Sequence, residues 1–531
     1  MTAFWVPPSD AGVIRAAPCP SPCAPTTAPW ILAATILGSS MAFIDGTVVN
    51  VALPALQREL NANLVDVQWV IEAYALFLAA LLLVGGAAGD RFGRRRVFLI
   101  GVALFALSSV WCGVAGSVRE LILARALQGI GGALLVPGSL AIISASFAED
   151  DRGRAIGTWS GATAITAAIG PVLGGWLIDH LSWRAVFFIN LPLAIVVIAI
   201  ALRHVTETRN VETLGSLDWP GAMLVTLGLG GVVYGLIESS NVGWSDPQIL
   251  AFLLLGILAL VGFVTVEMHV AAPMMPTRLF RSRTFAGANL LTLLLYAALG
   301  GSLFFVPLNL IQVQGYSTTA AGAALLPLIL LLAMLSRWSG GLIDRYGAKA
   351  PLVIGPVIAG GGFALLALPA VGGSYWVTFF PAVVVLGLGM SISVAPLTTT
   401  VMNSVDAGFA GAASGINNAA SRVAALLAVA LFGLIMATIF NHSLHSELER
   451  AKLPPRVIEA VEEQRNKLAA IELPASMDAH DAEPAKQAIA DAFLTGFRWI
   501  MLISAALALA SAASAWILIG SPSRADATGP A

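Results

Sequence analysis

Apolar runs of about 20 residues recur along nearly the whole chain, and a run of that length is what one α-helix needs to cross the hydrocarbon core of a bilayer. About fourteen are legible, at 30–53, 69–88, 97–116, 121–144, 155–177, 184–202, 220–237, 249–267, 286–311, 319–341, 351–369, 375–398, 412–439 and 492–519. Backbone polar groups in lipid must be satisfied within the fold, so the expected class is an all-α polytopic membrane protein with 14 transmembrane helices. Charge agrees with this. Only 11% of the 531 residues are charged and 58% are hydrophobic, too few charges for a water-facing globule. The net charge of -2, with no separate basic domain, excludes a nucleic-acid partner held by bulk electrostatics.

An even number of spans returns the chain to its starting side. With the amino terminus in the cytosol, the inner connections carry Arg91, Arg94 to Arg96, Arg152, Arg154, Arg203, Arg209, Arg278, Arg281, Arg283, Arg345 and Lys349, against Arg58, Arg119 and Arg184 in the short outer ones. The positive-inside rule then predicts a multi-pass protein of the cell membrane with both termini cytoplasmic. Residues 1–29, rich in Pro, Ala and Ser, lack a signal sequence's basic start and apolar core and read as a disordered cytosolic tail, with a second tail at 520–531. The long connection 440–491 falls outside. Within it Val457, Ile458, Val461, Leu468 and Ile471 keep helical spacing, which predicts an amphipathic helix over Pro455 to Leu473 lying across the outer mouth; a solvated connector is the alternative. The three cysteines, Cys19, Cys23 and Cys112, give no disulfide framework or metal spacing. No cofactor is implied.

One charged signature occurs twice, as Gly86-Ala87-Ala88-Gly89-Asp90-Arg91-Phe92-Gly93-Arg94-Arg95-Arg96 and as Gly340-Gly341-Leu342-Ile343-Asp344-Arg345-Tyr346-Gly347-Ala348-Lys349. The copies sit at the cytosolic ends of the second and tenth spans, as parallel duplication of a six-helix unit would leave them if two extra spans stand between the halves. The domains expected are therefore a bundle at 30–203, two inserted helices with linkers at 204–285, and a second bundle at 286–519 that includes the loop 440–491. Glycines such as Gly86, Gly93 and Gly347 let helix ends approach around a short turn. Asp90 and Asp344 could accept donors from a neighbouring helix amino terminus or pair with arginines such as Arg91, Arg94 and Arg345. Such a contact would latch one arrangement of the halves. The plainer reading is a basic loop obeying the positive-inside rule, which leaves the aspartates unexplained.

With these motifs the chain resembles the major facilitator superfamily, in particular its fourteen-helix drug:proton antiporter branch of EmrB/QacA type, over roughly residues 30 to 520. Asp45-Gly46-Thr47-Val48-Val49-Asn50-Val51-Ala52-Leu53-Pro54 resembles that branch's first-helix signature. Arg125-Ala126-Leu127-Gln128-Gly129-Ile130-Gly131-Gly132 is similar to the fourth-helix motif linked with proton coupling, and Gly170-Pro171-Val172-Leu173-Gly174-Gly175 to the fifth-helix antiporter motif. Ser182-Trp183-Arg184 through Asn190-Leu191-Pro192 also matches, whereas Thr166 stands where the family usually has glycine. The resemblance implies two six-helix bundles plus two inserted helices, and proton-coupled antiport that exports hydrophobic or amphipathic drugs, cationic ones among them, by alternating access.

The ionisable residues point the same way by depth. Asp45 lies about 15 residues into its helix, hence roughly 22 Å up a core of about 30 Å; Glu72 and Arg125, a few residues into helices that descend from outside, share that outer level. Each costs about 2.5–3.5 kcal/mol or more at the bilayer centre, so they should face one another or a wet cavity. Burial disfavours a charged carboxylate while a neighbouring guanidinium favours it, so a cavity that wets and dries would load and release a proton. Asp45 is thus expected as the principal proton site, Arg125 as its tuning partner and Glu72 as a second proton or cation site. The alternatives are a structural aspartate near Thr47 and Asn50, and an interfacial Glu72. For substrate, Asn289, Tyr296, Phe304 and Gln312 on the ninth span and Met390 on the twelfth, with Asn50 and Gln128, suit an amphipathic molecule, unless they face lipid or pack as core.

A membrane enzyme is the rival class. None of the six histidines pairs with a nucleophile motif, His442 and His445 lack an evident third metal ligand, and no Gly-Lys-Ser/Thr loop offers a phosphate site for an ATP-driven pump. Within transport, an exporter of one specific metabolite or lipid-like compound remains the alternative. The partners expected are a small-molecule substrate, protons and the lipid bilayer around a monomer, with a periplasmic adaptor left open.

Overall fold

The computed structural model describes residues 26–209, 218–270, 273–406, 409–474 and 477–520. Most of the two expected tails, including Cys19 and Cys23, lies outside the described residues. Among those described, 14 helices are long and apolar enough to cross a membrane, and no strand occurs. Their main helices are α1 (Ala28–Glu59), α2 (Leu64–Phe92), α3 (Arg94–Val114), α4 (Val118–Ser146), α5 (Glu149–His180), α6 (Asn190–His204), α7 (Trp219–Val242), α8 (Pro247–His269), α9 (Arg283–Leu308), α10 (Leu326–Gly340), α11 (Lys349–Leu366), α12 (Phe380–Asn403), α13 (Ala410–Arg450) and α14 (Ala479–Leu518), and the sixth and tenth spans begin in the short helices Ala185–Phe188 and Thr318–Ala324. Local chemistry sets many of the starts. Asn63 and Asp66 exchange side-chain and backbone bonds in a capping box before α2, and Ser117 and Ser282 accept from the first turns of α4 and α9.

The pairing of helices repeats. In the first bundle α1 packs on α5 and α6, α4 on α2 and α3, and α3 on α6; eight helices later α9 packs on α13 and α14, α12 on α10 and α11, and α11 on α14. Each of these pairings in one half thus has its counterpart in the other, in the same chain direction, as parallel duplication requires, while α13 also packs on α14 without a counterpart in the first half. α7 and α8 pack on each other, and α7 lies along both α2 and α13, covering the seam between the halves. The Trp69 indole of α2 donates to Glu238 of α7 at 2.9 Å. The end holding Ala28 and Leu518 is called the near end below.

At the far end the structure departs from the expected single amphipathic helix over Pro455 to Leu473. Pro455–Glu462 is α-helical, Arg465–Ala470 forms a 3-10 turn, and between them the chain bends so that Val461, Leu468 and Ile471 all enter the core. Leu468 reaches it with φ of +55°, so the apolar spacing is met by a bend where a continuous helix was expected. α13 and α14 also run past their apolar runs, to Arg450 and from Ala479, because polar turns beyond the hydrocarbon are held by pairs such as Arg450 with Glu447 at 2.6 Å and His445 with Glu449 at 3.2 Å.

Candidate functional site

α4 is drawn tightly between its neighbours by glycine. A Cβ on Gly129 would stand 2.5 Å from the Tyr74 carbonyl oxygen of α2, and one on Gly131 2.6 Å from the Phe105 amide nitrogen of α3. That approach lets the Arg125 side chain, one turn before Gly129, reach both α1 and α2. Its Nη1 donates to Asp45 Oδ2 at 2.5 Å and to Gln128 Oε1 at 2.7 Å, and its Nε donates to the Val70 carbonyl at 3.0 Å. The Tyr74 ring lies 4.2 Å from the guanidinium carbon. Gln128 Nε2 donates to Asp45 Oδ1 at 2.8 Å and to Ser109 at 3.3 Å, and Ser109 in turn donates to the Phe187 carbonyl and accepts from Asn190, both at 2.9 Å.

Asp45 is 0% and Arg125 1% exposed. An ion pair so deep is sustained only when its remaining hydrogen-bonding positions are also filled, and Gln128, Ser109 and Val70 fill them here. One residue along from Asp45 the packing stops. Gly46 is exposed, a Cβ there would meet nothing within 4 Å, and Asn50, one turn on, is half-buried on the same face with its amide on the Gly46 carbonyl at 3.4 Å. A sealed ion pair thus borders open space.

Glu72 is also fully buried, but outside this network, with no hydrogen-bond partner for either carboxylate oxygen. It stands about 200° around α2 from Tyr74, and one turn from Gln68, which donates to the Val429 carbonyl of α13 at 2.9 Å. Of the three ionisable groups expected to converge, Asp45 and Arg125 meet. Glu72 faces away from them, toward the other half.

Around the first signature Asp90 pairs with Arg94 of α3, at 2.9 Å to Nε and 2.8 Å to Nη2. The amino terminus of α3 is taken by Glu207, which accepts from the amides of Arg95 and Arg96 at 3.1 Å. Gly93, at φ of +112°, makes room, since a Cβ there would lie 2.6 Å from Glu207 Oε1. Gly86 packs near Pro137, and Arg91 lies over the Phe92 ring. In the second copy α10 ends at Gly340, Leu342–Tyr346 forms one turn, Gly347 takes φ of +72° and Arg345 lies over Tyr346; the side chain of Asp344 is outside the described residues.

The fifth-helix motif lies where the halves touch. Gly170 and Gly174 face Thr47 and Val48 of α1, while a Cβ on Gly175 would stand 2.6 Å from Thr319 Cα. Pro171 presents its carbonyl to Gly322. One turn beyond, Asp179 accepts from the Thr318 and Thr319 amides at 3.1 and 2.8 Å. Pro307 and the π-turn Asn309–Val313 that follows end α9, and Gln312 there donates to Gln57 of α1 at 2.7 Å. These contacts close the far end.

The residues expected to line a substrate cavity do not come together on one surface. Asn50 and Gln128 are near Asp45. Phe304 and Met390 are packed into the core, with Phe304 edge-on to Phe305, and Tyr296 is packed against it. Asn289 lines a separate apolar cavity, and Gln312 is used in the far-end contact. Asp179 and Glu207 carry weight that motif reading missed, both lying at helix edges without a distinctive pattern. Arg422 was visible as a cation inside an apolar run; it is half-buried on α13, with Nε on Asn418 at 3.3 Å.

The sequence profile of the Major Facilitator Superfamily matches residues 35–429. The chain belongs to this superfamily. It is therefore a multi-pass membrane transporter acting on small molecules, not an enzyme. It is 34% identical to the tetracenomycin C resistance and export protein of Streptomyces glaucescens, over 92% of this chain and 91% of that one. Identity is 35% to the multidrug resistance protein Stp of Mycobacterium tuberculosis, over 80% and 79%, and 35% to the puromycin resistance protein pur8 of Streptomyces alboniger, over 76% and 81%. An inward-facing, unoccupied bacterial homologue of the human lysosomal transporter Spinster superimposes with a TM-score of 0.64 at 17% identity, over 94% of this chain and 100% of that one. That last likeness concerns the superfamily fold alone.

Proposed function

We propose that this transporter is a proton-coupled antiporter that exports hydrophobic and amphipathic drugs, cationic ones included, by alternating access. The observation that carries the reading is the Asp45–Arg125–Gln128 cluster, a buried acid held by a guanidinium beside open space at Gly46 and Asn50. When water or a cationic substrate reaches Asp45 from that space, the balance between burial and the Arg125 charge changes, and the acid exchanges its proton. Glu72, buried without a partner between the halves, serves as the second proton site. The signature around Asp90 and Gly93 acts as the near-end latch, and its counterpart at Asp344 does the same for the second half.

The relatives named for resistance and export support the direction of transport. The excess of arginine on one set of connections supports a cell-membrane protein with both termini in the cytoplasm, and a monomer is the proposed working unit. With the far end closed, the form described is then the one open toward the cytosol. Each charge moved across 100 mV contributes about 2.3 kcal/mol, enough for tens-fold accumulation by one proton per substrate.

In liposomes under an imposed pH gradient, efflux of ethidium by the native chain should be lost in Asp45→Asn; normal pumping by that variant would remove the proton assignment. A narrower reading, export of one compound, is supported by the single-compound name of the tetracenomycin C relative. A panel of unrelated dyes separates the two, since only a multidrug exporter moves several.

A further inference from the structure

α8 lies on the outside of α7 and exposes Leu254, Leu255, Ile257 and Leu258. Behind it, the inserted pair and both bundles line a half-open cavity of about 480 Å³, within the range of small-molecule sites. Its wall includes Leu83 of α2, Phe263 of α8, Met275 and Phe280 of the following connection, and Leu290 and Asn289 of α9. Because the second half of α2 and the first turns of α7, α9 and α13 contribute to it, the cavity lies in the near-end half.

Asn289 is the one hydrogen-bonding side chain in that lining. Its amide donates to the Phe285 carbonyl at 2.9 Å, and its oxygen accepts from Asn417 at 3.3 Å. Asn417 also donates to Thr292 at 2.6 Å and keeps a buried oxygen without a partner, so a fixed polar cluster stands behind the wall with acceptor capacity to spare. The Met275 edge is pinned as well, by its amide on Glu267 at 2.8 Å. No side chain in the lining is charged, so an ionic occupant would lose its hydration without gaining a counter-ion. Phe and Met instead offer broad, adaptable apolar contact. Ala79 and Leu83 share an α2 face with Glu72, about two turns away, and that face borders the α2–α13 seam.

We infer that this cavity is a docking site for uncharged, mainly apolar substrates drawn from the near-end leaflet, distinct from the Asp45 cluster that serves cations. This rests on the proposed export function and gives its uncharged hydrophobic substrates a site of their own. The inserted helices form one wall of the site, and the α2–α13 seam leads from it to the transport path.

Ala420→Trp on α13 and Ala286→Phe on α9 each fill the cavity from a different helix. Nile red, a neutral lipophilic dye, is titrated by fluorescence into protein in phosphatidylethanolamine/phosphatidylglycerol nanodiscs, and its efflux is followed in liposomes beside that of ethidium. Each variant should weaken Nile red binding and raise its efflux KM at least tenfold, with ethidium efflux within twofold of native. Asp45→Asn should stop efflux yet leave Nile red binding intact, so failure of the proton assignment is read separately. The inference is overturned if native protein does not bind Nile red, if both filled variants bind it like native, or if both dyes lose efflux equally in protein of native thermal midpoint. It is also overturned if native mass spectrometry finds a phospholipid that the fillings expel while Nile red binding stays unchanged, which marks a structural lipid site. Should Ala420→Trp misfold, Ala286→Phe and the milder Ala420→Leu give the same readings.

Discussion

Thr319 of the second half donates to Asp179 of the first through both its amide and its hydroxyl, at 2.8 and 2.6 Å. The tie joins the two halves at the far end, so parting them there would break it. Asp179→Ala removes about 1–2 kcal/mol of hydrogen bonding from the closed form, which corresponds to a shift of roughly 5- to 30-fold toward the open one. Spin labels on the far ends of α5 and α10 should report the longer distance more often. An unaltered distance distribution would count against Asp179 as a gate.

The buried pair makes a separate prediction about stability. Removing charge from Asp45 alone strands the Arg125 guanidinium, at a cost of about 3–5 kcal/mol. Asp45→Asn should therefore lower the thermal midpoint, and adding Arg125→Gln should recover most of it without restoring pH-driven efflux. Additive losses of stability in the double variant would show that the two side chains are not coupled.

Glu72 should behave differently, because it has no partner to strand. Glu72→Gln keeps the shape and removes the proton, so thermal stability should hold or rise while fewer protons move per substrate. Reversal potentials in liposomes measure that ratio. The same ratio as native would leave Glu72 a structural group.

Gly93 combines a left-handed backbone with contact to Glu207. Gly93→Ala should destabilise the near end by about 1–3 kcal/mol through backbone strain and slow turnover with little change in KM. Because part of that effect runs through Glu207, combining it with Glu207→Ala should cost less than the sum of the two. Strict additivity would mean that the backbone conformation alone matters.

Depth arithmetic along the first, second and fourth spans was enough to bring Asp45 and Arg125 to one level, because rise per residue is fixed in a helix. Rotation about the helix axis is not fixed by depth, which is why Glu72 shares the level yet turns toward α13. Gln312 was legible as a polar residue in an apolar run, but its partner Gln57 depends on the π-turn after Pro307, a backbone irregularity that periodicity averages away. Asp179 and Glu207 act on helix amino termini that neighbour them only in space. In the loop 440–491 the apolar spacing correctly marked Val461 and Leu468 as inward-facing, although the bend at Leu468 replaces the continuous helix expected there.

The placement of α7 against both α2 and α13 has a mechanical consequence. If the two bundles rock about a central axis, any tilt that parts α2 from α13 must make α7 slip along at least one of them, so the added helices serve as a sliding gasket. Without α7 this flank would be bare to acyl chains at each such stroke, whereas with it the rocking pair would carry its own seal.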